Sequence, residues 1–126
     1  MVLPMKLLIA DDDRLIRAML ADVLAALGHT VVAAGDGEEA VRLFEAERPD
    51  AVILDFLMPR LSGLDALQAM RRGGARVPAA LLTAISDDSV RSVDGGDAPD
   101  AYLEKPFRRR DIERALETLS RAARSG

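Results

Sequence analysis

The stretch Ala51-Val52-Ile53-Leu54-Asp55-Phe56-Leu57-Met58-Pro59 decides how this chain folds. Four apolar residues, set off by Pro49-Asp50 before and Pro59 after, read as a short strand buried on both faces. A carboxylate then stands where that strand must end. An unpaired buried charge is costly, so Asp55 belongs at the strand's carboxyl tip, in a cleft with a counter-charge. Pro59 stops any helical continuation and leaves a short loop around the carboxylate.

Upstream, Met5-Lys6-Leu7-Leu8-Ile9-Ala10 reads as a first buried strand, ending in Asp11, Asp12 and Asp13. From Arg14 the period changes. Leu15, Ile16, Met19, Leu20, Val23, Leu24 and Leu27 recur at helical spacing, and Gly28 is a good C-terminal stop. Asp13 suits the cap of that helix, and His29 reads as an exposed loop residue. Thr30 to Ala34 is a second strand, stopped by Gly35-Asp36-Gly37. Glu38 to Glu47 is a helix with Ala40, Val41 and Phe44 inward, closed by Pro49.

Downstream, Ser62 can cap a helix carrying Leu64, Leu67 and Met70, which ends at Arg72-Gly73-Gly74. Val77 to Leu82 is a fourth strand with Thr83 at its tip. Ser86 to Val93 is a weak helical pattern, rich in serine, aspartate and valine and followed by Gly95-Gly96. Ala101-Tyr102-Leu103 is a short fifth strand, followed by Glu104-Lys105-Pro106-Phe107. The last helix runs from about Arg109, with Ile112, Ala115, Leu116, Leu119 and Ala123 on one face.

Bulk properties narrow the function. A length of 126 residues suits one unit spanning 1–126, with its core over 5–124. A hydrophobic content of 49% excludes a disordered class. The net charge of −4 offers no general reason to bind nucleic acid or an anionic membrane. Without cysteine there is no disulfide, thiolate nucleophile or Cys-based metal site. No apolar run reaches membrane-spanning length, and Met1 to Lys6 is too short for a signal peptide, so a cytoplasmic protein is expected. Of 17 basic residues only Lys6 and Lys105 are lysines, which draws attention to where Lys105 falls. Arg108-Arg109-Arg110 reads as a solvated face.

Five strands alternating with five helical patterns predict an α/β fold with a parallel sheet. Right-handed crossovers put all strand tips at one edge, where open α/β sheets bind ligands. Asp11, Asp12, Asp55, Thr83 and Lys105 stand at those tips. Two like charges ~4 Å apart repel by ~4 kcal/mol at an effective dielectric of 20, so clustered carboxylates need a proton or a cation. Mg2+ fits: it takes oxygen ligands and is often completed by a substrate phosphate. Asp55 can be a nucleophile toward phosphorus, with positive charge from Mg2+ and Lys105 on the phosphoryl oxygens and a hydrogen bond from Thr83.

These residues, in this order, resemble the response-regulator receiver domains of two-component signalling, from about Met5 to Leu119. Asp11-Asp12 resembles the family's acidic pair, and Asp55 its phospho-accepting aspartate. Thr83-Ala84 resembles the Ser/Thr-Ala pair, and Lys105-Pro106-Phe107 the Lys-Pro-Phe motif. The resemblance implies a flavodoxin-like, doubly wound five-stranded parallel sheet of order 2-1-3-4-5 with five helices. It implies that the backbone carbonyl of Leu57 joins Asp11, Asp12 and Asp55 at the metal, and that Thr83 and Tyr102 are switch residues. The phosphoryl group would come from a phosphohistidine of a histidine kinase or phosphotransfer protein. The output would act through the face of the fourth helical pattern, fifth strand and last helix. The chain departs from the family pattern at Ala98-Pro99, where Gly-Ala is common, and at the arginine triplet.

Such a domain is a switch and not an enzyme beyond its own phosphoryl acceptance and hydrolysis, and a monomer or weak dimer is expected. A haloacid-dehalogenase-like phosphatase also uses a nucleophilic Asp, a Ser/Thr and a Lys. It needs a second acid two residues past the nucleophile, where this chain has Leu57. A flavin-binding module would want a hydroxyl- and glycine-rich loop after the first strand, where three aspartates repel phosphate. With no output domain read after the last helix, the expectation is a stand-alone regulator or a phosphorelay intermediate, with unknown output protein.

Overall fold

The unbroken apolar runs take the centre of one sheet. A computed structural model describes residues 2–74, 76–84 and 98–125. Its strands are β1 (Lys6–Ala10), β2 (Thr30–Ala34), β3 (Ala51–Asp55), β4 (Ala79–Ala84) and β5 (Ala101–Lys105). All pair in parallel, in the order β2-β1-β3-β4-β5. Every residue of β3 is buried, as its lack of alternation implies, whereas the edge strand β2 mixes exposed, half-exposed and buried positions and β5 is half-exposed except at Leu103.

Four helices lie among the described residues: α1 (Arg14–Ala26), α2 (Gly37–Glu47), α3 (Gly63–Arg71) and α4 (Arg109–Ser125). The fourth helical pattern, Ser86 to Val93, lies outside the described residues. The caps explain the starts. Asp13 accepts from the amides of Leu15 and Ile16, Asp36 from Glu39, and Ser62 from Asp65. At the arginine triplet, Asp111 reaches back to the Arg108 amide at 2.8 Å, placing an acid in the first turn of α4 despite the basic run.

Two cores flank the sheet. On one face Leu7, Ile9, Ile53 and Leu82 pack with Leu20 and Leu24 of α1 and Ile112, Leu116 and Leu119 of α4. On the other, Leu8, Val52, Leu54 and Leu81 pack with Ala40 of α2 and Leu67 and Met70 of α3. Full burial of each such Val, Leu, Ile or Met side chain contributes roughly 1.5–3 kcal/mol.

Several sequence expectations shift. β3 runs through Asp55 and β5 through Lys105, because the pairs Asp55–Leu82 and Ala84–Lys105 extend the ladders to the charged residues. β4 begins at Ala79, not Val77. The apolar face read on α1 is too wide: Leu15 is 79% and Met19 40% exposed. Ala123, in the last turns of α4, is also exposed. His29 is buried, contrary to its reading as an exposed loop residue. Gly28, with φ +97°, turns the chain so that the imidazole lies beneath β1, where Nδ1 accepts from the Met5 amide at 3.0 Å.

Candidate functional site

Strand ends set the site. Asp11 follows β1 directly, and its amide still bonds across to the Ala34 carbonyl at 3.2 Å, so its carboxylate emerges at the sheet edge, fully buried. Its Oδ1 accepts from the Asp13 amide at 2.9 Å, which leaves Oδ2 to the cleft. Asp12, the next residue, is exposed, and Asp13 is spent on capping α1. Asp55 closes β3 and is buried. Lys105 closes β5 and reaches past β4, placing Nζ 3.3 Å from Asp11 Oδ2 and 3.4 Å from Asp55 Oδ1.

One ammonium thus pairs with two of three carboxylates, each of which offers one oxygen within 4.8 Å of the others'. The electrostatics follow. Burial, then the charge of Asp11, push Asp55 from 3.8 up to about 6, with Asp12 adding a little and Lys105 opposing. Burial alone would lower Lys105, but Asp55 and Asp11 outweigh it and hold the ammonium above its ordinary value.

Among the described residues two buried side-chain polar atoms lack a hydrogen-bond partner: Asp11 Oδ2, close to Lys105 but without hydrogen-bond geometry, and Thr83 Oγ1. Orphaned buried oxygens are costly unless something else meets them. A hard divalent cation fits the first, since the donor set is all oxygen and under-neutralised. Thr83 lies on β4 opposite Glu104, one residue beyond the Leu82 that faces Asp55. No hydrogen bond joins it to the four charged groups.

The loop after β3 is held by close backbone approaches. Gly63 lies against the Asp55 carbonyl and Gly37 against the Leu61 carbonyl, and a Cβ at either would clash with backbone. Arg60, at φ +71°, bonds Asp36 at 2.9 Å and ties the loop to the start of α2. Leu57 sits in that loop with its side chain 66% exposed, and among the described residues no hydrogen bond is made to its carbonyl. Tyr102, opposite Leu81, is half-buried against the core under α2 and α3.

Sequence reasoning singled out neither Arg17 nor the Arg71–Asp100 pair. Arg17 donates to the Asp11 carbonyl at 2.7 Å. Arg71 binds the carbonyls of Val77 and Ala98 and, at 3.3 Å, Asp100, which also accepts from the Ala79 amide. Neither carries a signal along the chain, because each contact joins segments that only folding brings together. A glycine hard against backbone is equally silent in sequence.

Residues 7–117 match the model of the response regulator receiver domain. The chain is 42% identical over 120 residues to the response regulator MprA of Mycolicibacterium vanbaalenii, covering 94% of this chain and 52% of that protein. It thus spans about half the length of the curated relatives it matches. A response regulator receiver domain protein from Clostridium thermocellum superposes with a TM-score of 0.86 at 27% identity, covering 96% of this chain and 98% of that one. The receiver domain of the sensor histidine kinase PA1611 from Pseudomonas aeruginosa PAO1 superposes at 0.80 with 32% identity, covering 91% and 96%. That structure has a magnesium ion coordinated in its active-site cleft.

Proposed function

Because this chain belongs to the response regulator receiver domain family, we propose that it is a phosphorylation switch whose phospho-acceptor is Asp55. The observation that carries this is the Asp55 carboxylate at a strand tip, within ion-pair reach of Lys105 and beside Asp11 and Asp12. All five strands share one sheet, which supports reading residues 1–126 as one receiver unit with its core over 5–124.

An Asp55 oxygen attacks the phosphorus of a donor phosphohistidine. The new P–O bond forms as the P–N bond breaks, and the imidazole leaves with its electron pair. Lys105 meets the charge on the phosphoryl oxygens, and Thr83 Oγ1 supplies a hydrogen bond that it does not otherwise make. Asp11, Asp12, Asp55 and the Leu57 carbonyl would hold Mg2+, which supplies positive charge to the transferring group. The magnesium in the Pseudomonas receiver domain supports that choice of ion. Tyr102, half-buried beside β4, is the residue through which a shift of Thr83 would alter the outer face.

The donor is a histidine kinase or phosphotransfer protein. Leu15, Met19 and Leu57, exposed apolar residues on the elements that follow Asp12 and Asp55, would together offer an apolar rim suited to an apolar helical partner. Incubation with a small phosphodonor and Mg2+ tests the central step. The intact mass of the native chain should rise by one phosphoryl group, and that of Asp55→Asn should not. Equal addition to both would sink the assignment of Asp55.

A further inference from the structure

We propose that Arg17 is a positioning residue for the acidic pair, holding the peptide between Asp11 and Asp12 so that both carboxylates address the same cation. This rests on the Mg2+ reading of the site. The two aspartates are held very differently. Asp11 is fixed at its amide by Ala34, at Oδ1 by the Asp13 amide and at its carbonyl by Arg17 Nη1, 2.7 Å away. The exposed Asp12 carboxylate has no side-chain hydrogen bond among the described residues, so its aim is set by its backbone. The Asp11 carbonyl and the Asp12 amide belong to one rigid plane. A charge-assisted bond to that carbonyl fixes the plane and with it the direction in which Asp12 leaves the chain.

The surroundings keep the guanidinium in place. Arg17 is half-buried, and no carboxylate among the described residues lies within ion-pair distance of it. It passes beside Gly35, where a Cβ would stand 3.3 Å from Nη1. The Gly35 amide is itself pinned by Glu39 Oε1 at 2.7 Å. Arg17 therefore braces the tip of β1 from α1, through a gap that the loop between β2 and α2 keeps open.

Charge and position act on the metal in opposite directions. As a bare cation near the site, Arg17 would repel Mg2+, and its removal would tighten binding. As a brace, its removal loosens binding. Groups that orient metal ligands are worth roughly 10–100-fold in affinity, while a half-exposed charge is screened by solvent and salt. Loosening should win.

The test is calorimetric titration of Mg2+ into the metal-free chain, native, Arg17→Ala, Arg17→Lys and Gly35→Val, with the melting temperature of each in chelator. Arg17→Ala should raise the Mg2+ Kd about tenfold, and Arg17→Lys, which keeps a donor, should recover part of that. Gly35→Val crowds the guanidinium from the far side and should weaken binding at least threefold. A Kd raised less than threefold, unchanged or tightened in folded Arg17→Ala overturns the proposal, even if the melting temperature falls. If Arg17→Ala does not fold, the same threshold in Gly35→Val decides. No Mg2+ binding by the native chain would refute the metal reading itself, a separate result.

Discussion

Asp55 is held in conflict. Burial and Asp11 disfavour its charge, while Lys105 favours it, and the balance leaves it at about 6 against an ordinary 3.8. The sign of the pH dependence follows. Between those values the folded chain binds the proton more tightly than the unfolded one, so metal-free stability falls as pH rises through that window. Above it the penalty is complete. Asp55→Asn removes the charge and should raise the melting temperature in chelator by about 3–6 °C at pH 8, with a clearly smaller gain at pH 4.5. Differential scanning calorimetry at the two pH values reads this out. A melting temperature lowered at pH 8, or the same gain at both, would show that the carboxylate is not under strain. Mg2+ should erase the native chain's disadvantage by neutralising the same charge.

Elements meet at two further polar points. At the foot of the sheet, His29 Nδ1 accepts from the Met5 amide, while Thr30 donates to the Met5 carbonyl and His29 to Leu24. Burial lowers the imidazole pKa. The stability that neutral His29 contributes is therefore full above the unfolded value of 6.5 and is lost as pH falls through the folded one. Glu113 and Glu117 of α4 line the adjacent cavity but do not reverse that direction. His29→Asn, which keeps an acceptor without titrating, should lose less stability than the native chain between pH 7 and 5. The protection factor of the Met5 amide, corrected for the intrinsic slowing of exchange in acid, should fall between pH 7 and 5 only in the native chain. Identical pH profiles would rule the histidine out.

The second point joins α3 to β4 and to the approach of β5. Arg71 and Asp100 are 6% and 12% exposed, and Arg76 adds a second, more exposed contact to Asp100. Removing one partner of a buried pair strands the other, so Arg71→Met should cost about 3–5 kcal/mol in urea unfolding. A loss below about 1 kcal/mol would mean that Arg76 and the Ala79 amide satisfy Asp100 without Arg71.

Over the whole molecule, the sheet separates two ends. One carries the acidic cluster and the exposed Leu15, Met19 and Leu57. The other carries His29 and the Arg71–Asp100 pair. No helix of the described residues is long and apolar enough to cross a membrane. If the apolar rim receives the phosphodonor protein, Leu15→Glu with Met19→Glu should slow transfer from a phosphorylated histidine protein at least tenfold. The rate with a small phosphodonor should stay within twofold of native. Equal slowing with both donors would place the defect in the site, and no slowing with either would remove the rim from docking.

Apolar periodicity by itself determined which segments become strands and helices among the described residues, though not their exact bounds, because burial of runs such as Ala51 to Leu54 leaves few alternatives; the order of strands across the sheet followed only from the family resemblance. Periodicity also determined which charged residues stand at strand tips, since Asp11 and Asp55 each interrupt an apolar run where a sheet must end, and Lys105 follows Glu104 just past the last run. Only the tertiary structure decided which of these groups meet. Lys105 reaches Asp55 across one intervening strand and Asp11 across two, and Thr83 shares their edge without a hydrogen bond to them. The same holds for the residues that periodicity misjudged. Leu15 and Met19 carry helical spacing but face water, because the sheet covers only part of the surface of α1. His29 follows a glycine, as loop residues do, yet lies buried because the turn folds it under β1. Arg17 looks like any helix arginine until folding brings the tip of β1 and Gly35 to either side of it. Periodicity records which side chains avoid water; contacts between distant polar groups depend on where the packed elements place them.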